Sequence, residues 1–177
     1  MTLSAPYFAR PLECSTFCFR VAELCRMGST FQTVIDAETL PADLQFQGYA
    51  IAVTKEEVIY LLDMDNYRIL CVDPAESLKP VVVGQFNRLQ AIRWNLCVTE
   101  AGTIYVADHD QRSVLAFRPG NTHPIRVLQC PDGLFPMAVL VHGSSMYVSM
   151  VDDPGSPSGP STGGIYEYAL PPELRLE

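Results

Sequence analysis

Carboxylate and guanidinium groups recur at similar distances in the middle of this sequence, and they are the residues whose types could do chemistry. Asp63 and Arg68 stand five positions apart around a polar turn, and Asp108 and Arg112 repeat the pattern with the cation displaced. Such a pair could form a charged site, but the structural interpretation is favoured. An Asp that opens a turn accepts backbone N–H groups, and an Arg across the turn pairs with it. We therefore predict structural turn pairs and no catalytic residue.

The metal-binding residue types do not fall into ligand patterns. Each histidine stands in a predicted turn beside Asp, Pro or Gly, and we expect an exposed spacer at each of these positions: His109, His123 and His142. The cysteines Cys14, Cys18 and Cys25 have C-x3-C-x6-C spacing, without the CxxC or nearby His of a zinc site. No nucleophile elbow, P-loop or dinucleotide fingerprint is present. We predict no metal and no cofactor.

The elements that must position the turn pairs are hairpins that repeat along the chain. Equivalent tyrosines at Tyr60, Tyr105 and Tyr147 give periods of 45 and 42 residues. Four short strands per period of this length are typical of the blades of a β-propeller. The sequence therefore predicts an all-β fold, a propeller-like array of four-stranded antiparallel blades that forms an incomplete ring of about 3.5 blades.

The units follow one another within a single domain. The predicted order is an irregular lead (1–15), a half blade and link (16–47), three blades (48–86, 87–132 and 133–170) and a tail (171–177). The third blade contains a Pro/Gly/Ser-rich loop, residues 152–164, and it lacks a fourth strand because Pro171 and Pro172 follow directly.

The turn pattern is similar to the NHL repeat, whose hallmark is about G-x-[IL]-Y-V-x-D-x-x-N-x-R-[IV]. In the first unit Asp63, Asn66, Arg68 and Ile69 fall in register. The second unit keeps Gly102, Tyr105, Val106, Asp108 and Val114, with Gln111 at the Asn position and Ser113 where Arg belongs; the third keeps Tyr147, Val148, Gly164, Ile165 and Tyr166. The resemblance covers about residues 48–170. It implies a six-bladed ring that docks protein or, in some members, RNA.

Propellers of the gluconolactonase and strictosidine-synthase type share this blade pattern, and some hold a divalent cation at the axis. Resemblance to them implies Ca²⁺ held by Asn, Asp and Glu oxygens, which would polarise an ester or lactone carbonyl. Those families often place Asn in a step before the innermost strand. Here Asn95 is one residue out of register and Met137 replaces it in the next unit.

Composition narrows the classes of partner. The chain has 177 residues and a net charge of -8 without any run of Lys or Arg, so nucleic acid and anionic membranes are unfavourable partners. No apolar run is long enough for a membrane span, and the N-terminus does not form a signal-peptide core. We expect buried free thiols in a reducing compartment, and we predict a cytoplasmic location.

The irregular links and the turns between second and third strands are expected to lie at one end of the blades. Loops on a rigid frame are the usual binding surface, and aromatic and Arg residues are enriched at interface hot spots. The predicted binding face comprises Phe86, Arg88, Arg93, Trp94, Phe135, Asp152 and Asp153. The alternative for Trp94 and Phe135 is that they fill the gap between neighbouring blades.

The sequence thus favours a non-catalytic NHL-like scaffold that binds a protein partner through this long-loop face. One alternative is a divalent-cation-dependent hydrolase of the gluconolactonase and strictosidine-synthase type, and a second is a truncated, non-functional propeller fragment. An arc of blades leaves two faces without neighbours, so a homo-oligomer that completes the propeller is a further expectation.

Overall fold

A computed structural model describes residues 40, 42–46, 48–87, 92–152 and 162–174. The predicted lead and nearly all of the predicted half blade lie outside the described residues. Within the described ranges the chain is all-β, apart from a short 3-10 helix at Pro172–Leu174. None of the described residues belongs to a helix that is long and apolar enough to span a membrane.

Eleven strands are described, and their bounds follow the predicted pattern closely. They are β1 (Gly48–Val53), β2 (Ile59–Asp63), β3 (Arg68–Asp73), β4 (Ser77–Gln85), β5 (Ile92–Val98), β6 (Ile104–Asp108), β7 (Ser113–Phe117), β8 (Ile125–Gln129), β9 (Leu134–His142), β10 (Ser145–Asp152) and β11 (Gly163–Ala169).

The strands form three antiparallel sheets in sequence order. The first two sheets have four strands each, β1 to β4 and β5 to β8, and the third has three, β9 to β11. Each neighbouring pair of strands is a hairpin, so every sheet is a meander that can form locally. The all-β, propeller-like array of antiparallel sheets is confirmed, and the three sheets of the described residues are consistent with an incomplete ring.

Packing between the blades places the innermost strands side by side. β1 contacts β5, and β5 contacts β9. Successive side chains along a strand point alternately toward the preceding and the following blade, as expected of a sheet that is buried on both faces. One apolar cluster joins the first and second blades: Leu62, Ile69, Phe86, Leu96, Ile104, Val106, Leu115 and Phe117. Another joins the second and third: Cys97, Tyr105, Val114, Ala116, Cys130, Val139, Met146, Val148, Met150, Leu170 and Leu174.

Two innermost strands begin earlier than the sequence predicts, since its apolar runs place their starts at Asn95 and Met137. β5 starts at Ile92 and β9 at Leu134, so Arg93, Trp94 and Phe135 lie in strands and not in the predicted loops. Pairing explains the extension, since Ile92 lies opposite Asp108 and Leu134 opposite Asp152. The second strand of each blade thus sets the length of the first.

Candidate functional site

The first-blade turn is held by the carboxylate of Asp63, which is fully buried. Arg68 Nε donates to Asp63 Oδ2 at 2.8 Å, and Asn66 Nδ2 donates to the same oxygen at 2.9 Å. The two other guanidinium nitrogens of Arg68 donate to the carbonyls of Asp43 and Gln45, each at 2.7 Å. The pair therefore fastens the turn to the segment that precedes β1.

The second-blade turn keeps the carboxylate and changes its partners. Asp108 is fully buried, and its Oδ1 accepts the N–H of Gln111 at 3.0 Å. Ser113 lies opposite Asp108, at the register position that Arg68 has opposite Asp63. The ion pair of Arg112 is formed with Asp132, at 3.1 Å, in the link that follows the blade.

The third blade departs from the repeat at this position. Met150 takes the register place of Asp63 and Asp108, and β10 continues for two further residues to Asp152. There the hydroxyl of Thr162 donates to the Asp152 carboxylate, and the Asp152 N–H donates to the Thr162 carbonyl. A carboxylate thus also holds this hairpin, two residues farther along β10 than the position that Asp63 and Asp108 have in their strands.

Hydrogen bonds join the turns of the first and second blades to the links that leave these blades. The N–H of Phe86 donates to the carbonyl of Tyr67 at 2.8 Å, and the N–H of Cys130 donates to that of Arg112 at 2.7 Å. Tyr67 and Arg112 are equivalent residues with positive φ, 54° and 48°. The turns and links therefore lie at one end of the blades. We call this end the turn face, and its described segments are residues 42–46, 64–67, 109–112 and 130–133.

The residues of the predicted binding face have different environments. Phe86 is 7% exposed and packs edge-to-face on Phe117 with ring centroids 5.1 Å apart, so it belongs to the core between blades. Phe135 is half-buried and Asp152 is half-buried. Arg93 and Trp94 are described only as part of β5, and Arg88 and Asp153 lie outside the described residues.

His109 is buried at the turn face, in contrast to the exposed spacer that the sequence predicts. Its ring stacks on Phe135 of the third blade with centroids 4.8 Å apart. Within the described part of the chain neither ring nitrogen has a hydrogen-bond partner, although Nδ1 lies 3.5 Å from an Asp110 carboxylate oxygen. Sequence reasoning missed this contact because the aromatic partner comes from another blade; His123 and His142 are exposed as expected.

Exposed charges at the turn face are mostly carboxylates. Asp110 and Asp132 have side chains 47% and 99% exposed, and the cations Arg68 and Arg112 are both in ion pairs. Further exposed carboxylates of this face are Asp43 and Asp65. The described segments of this face therefore present net negative charge, in keeping with the net charge of the whole chain.

Metal ligands do not converge in the part of the molecule that is described: it contains no group of three or more His, Cys, Asp or Glu residues placed to hold an ion. Asn95, the residue that the hydrolase alternative would use, instead accepts the N–H of Val139 through its Oδ1 at 2.9 Å. Its amide oxygen links the innermost strands of the second and third blades.

Several thiols and phenols titrate above their ordinary range. Burial raises the pKa of Cys130 to about 11 and the pKa of Tyr60 to about 12, and it also raises the pKa of Cys97. Cys71, Cys97 and Cys130 are free thiols. A raised thiol pKa suppresses the thiolate, which is the nucleophile and the metal ligand, so these cysteines are structural residues of the blades.

No protein-family model matches this sequence, and no curated protein matches it as a relative. Solved structures with a similar arrangement include a catalytically inactive variant of virginiamycin B lyase from Staphylococcus aureus with quinupristin, at 14% identity and a TM-score of 0.49 over 74% of this chain and 44% of that one. Another is a streptogramin B lyase, at 12% identity and a TM-score of 0.47 over 74% of this chain and 42% of that one. The chain thus spans less than half the length of these structures. The assignment as a propeller-like array rests on the chain's own sheets and the packing between its blades.

Proposed function

We propose that this chain is a non-catalytic, NHL-like propeller scaffold that binds a protein partner through its turn face. The observation that carries the proposal is the use made of the turn carboxylates. Asp63 and Asp108 are fully buried, and their described contacts hold the turns in which they stand. These two carboxylates therefore stabilise the blades, and the blades hold the turn face in position for a partner.

The charge of that surface supports a proposal for the kind of partner that it would bind. The Asp110 side chain, 47% exposed, projects from a turn of this face, and Asp43 and Asp65 are further exposed carboxylates, while Asp132 and Arg112 neutralise each other in an ion pair. A partner that offers Lys and Arg side chains would complement this face and would be steered toward it by the field of the acidic chain. We therefore propose a protein partner with a basic contact surface.

The aromatic part of the proposed contact is Phe135, which is half-buried against His109. Arg88, Arg93, Trp94 and Asp153 stay in the proposal as sequence predictions. Phe86 is left out, because its ring fills the core between two blades and is not accessible to a partner.

Charge reversal tests this proposal with a matched control. The double variant D110K/D132K changes the turn face, and E56K/E76K changes exposed turns at the opposite end of the strands by the same net charge. Proteins that co-purify with each form would be quantified by mass spectrometry. We expect the turn-face variant to lose one bound protein at least about tenfold and the control to lose it less than about twofold. Equal loss from both variants, or equal retention, would contradict the proposal.

A further inference from the structure

The first blade has one face toward the second blade and another face that no described blade covers. The side chains of β2 and β3 on this leading face are nevertheless buried, at 0% to 4% exposed: Ile59, Leu61, Leu70 and Val72. Ile51 and Val53, which lie beside them on β1, are 50% and 58% exposed. The cover of the leading face therefore reaches β2 and β3 and leaves the innermost strand open.

The far face of the third blade shows how a blade face without a cover differs from this one. Leu140 lies opposite Tyr147 and Ile165 lies opposite Ser149, two residues farther along β10, so both side chains point to that face. Leu140 on β9 is 58% exposed and Ile165 on β11 is 78% exposed. The third blade thus exposes the strands on both sides of β10, whereas the leading face of the first blade is open at β1 and closed at β2 and β3.

The contact between the first and second blades shows what a complete neighbour covers. Leu96 on β5, Val106 on β6 and Leu115 on β7 are all buried in the cluster that the two blades share. The preceding blade has four strands there, and its innermost strand, β1, contacts β5. A neighbour without its two inner strands would cover the second and third strands and leave the first exposed, as on the leading face of the first blade.

Two described side chains from outside the sheet supply part of the cover. Phe46 is buried in the cluster on the leading face and Leu40 packs against it, and both precede β1. Arg68 fixes this segment through its hydrogen bonds to the carbonyls of Asp43 and Gln45. A fully buried side chain is usually in contact with about six to twelve other residues. Two side chains therefore do not complete the burial of four positions on β2 and β3.

The sequence before Leu40 contains two stretches of the type needed for two outer strands. They are residues 16–21, TFCFRV, and 31–35, FQTVI, which are rich in aromatic and β-branched residues. They resemble the third and fourth strands of the later units, such as SVLAF of β7 followed by IRVLQ of β8. Residue 35 precedes Leu40 by five positions, and an extended chain of that length spans at most about 18 Å. The second stretch is therefore within reach of the leading face.

We propose that residues 16–35 form a two-stranded half blade that packs on β2 and β3 of the first blade. Alternation along the first stretch places Phe17 and Phe19 on one side and Cys18 and Arg20 on the other. The aromatic side fits the apolar cluster of the leading face. The half blade takes the place of the two outer strands of a preceding blade, so the strip along β1 stays open. The start of the chain is thereby a structural part of the array of blades.

Photo-crosslinking in the full chain tests this contact. With p-benzoylphenylalanine in place of Phe19, irradiation should link position 19 to residues 59–72 of the same chain. The same group in place of Arg20, on the other side of the predicted strand, is the matched control and should not give this product. Mass spectrometry locates the link, and a mixture with isotope-labelled chain separates links within one chain from links between two copies. Linkage of position 19 to another segment, to a second copy or to nothing, or equal yields from both positions, would overturn the proposal.

A double-mutant cycle tests the same contact without a bulky probe. F19L and L70V should each lower the folding equilibrium constant, and the double variant should differ from the product of the two effects by more than about twofold, because side chains in contact are coupled. Val148, buried in the third blade, provides the control: the effects of F19L and V148A should multiply within about twofold. Urea denaturation measures each constant, and circular dichroism verifies that each variant is folded. No effect of F19L, or simple multiplication in the first cycle, would overturn the proposal.

Discussion

Asp63 is a residue whose sequence context suggests chemistry and whose structural role is local. Its carboxylate is fully buried and accepts one hydrogen bond from Arg68 and one from Asn66. The guanidinium, with 13% of the side chain exposed, then reaches the carbonyls of Asp43 and Gln45. A single carboxylate therefore orders both a turn and the segment that enters the blade.

Removing this carboxylate should destabilise the chain strongly. D63A leaves the largely buried Arg68 without its anionic partner, and we expect the free energy of unfolding to fall by about 3 kcal/mol. D132A removes the exposed partner of Arg112, and the expected loss is below about 1 kcal/mol. Urea denaturation measures both. Similar losses for the two variants would show that Asp63 has no special structural role.

The buried thiol of Cys130 makes stability depend on alkaline pH. Burial raises its pKa from 9.0 to about 11, so the folded chain keeps a proton that the unfolded chain releases. The stabilisation is complete below about pH 9 and is lost as the pH rises toward 11. Cys97 contributes in the same direction, and Tyr60 does so at higher pH because its pKa is raised to about 12.

For Cys130 we predict a difference in how steeply the free energy of unfolding falls with pH. Between pH 9 and pH 10 under reducing conditions, wild type should lose about 1 kcal/mol more unfolding free energy than C130A, because one proton is linked over one pH unit. Urea denaturation at the two pH values provides the measurement. Equal losses in the two proteins would contradict the assignment of the effect to this thiol.

At the scale of elements, the inner hairpins use one turn geometry with different residues. The N–H of Glu57 donates to the Thr54 carbonyl at 3.0 Å, and the N–H of Gly102 donates to the Thr99 carbonyl at 2.9 Å. Both donors have positive φ, 66° and 78°. Glycine reaches this region freely, whereas a side chain makes it unfavourable by about 1 kcal/mol.

Substitutions at these equivalent positions should therefore have opposite signs. E57G should stabilise the chain by up to about 1 kcal/mol, and G102A should destabilise it by about 1 kcal/mol. The added Cβ in G102A would also lie 3.3 Å from Pro119 Cγ. Denaturant midpoints compare the two variants with wild type. Destabilisation by both would mean that Glu57 has a favourable contact that outweighs its backbone strain.

The sequence predicts elements well where their signals are local. The apolar runs of the sequence predict strands at Ser113–Phe117 and Ile125–Gln129, and these are the bounds of β7 and β8, because Gly, Pro and Asp punctuate the runs on both sides. The predicted starts of β5 and β9, at Asn95 and Met137, are too late, since the first residues of these strands pair with the ends of other strands. Pairing of that kind depends on register and not on the residue itself.

At the scale of the whole molecule, contacts between blades decide which aromatic residues are buried. The sequence predicts Phe86 in the binding face because it is an aromatic residue in the link between the first two blades. It is buried because Phe117 of the next blade meets its ring. The partner of Arg112 and the burial of His109 depend in the same way on residues from other segments, so the turn pattern alone could not predict them.

The rings of Phe86 and Phe117 should couple the first two blades energetically. F86L and F117L are each expected to destabilise by about 1–2 kcal/mol, with a coupling energy of about 0.5–1 kcal/mol in a double-mutant cycle. A cycle of F86L with F135L, in the third blade, should be additive within about 0.5 kcal/mol. Additivity in the first cycle would mean that the two blades do not stabilise each other through this contact.

Binding through the turn face is tested most directly by locating the proposed protein partner on the chain. Hydrogen exchange of the backbone amides would be measured for the chain alone and for the chain saturated with the purified partner. We predict slower exchange at residues 64–67, 109–112 and 130–133, with unchanged exchange at 54–58, 74–76 and 99–103. Protection at the second set, or at neither set, would contradict binding through the turn face.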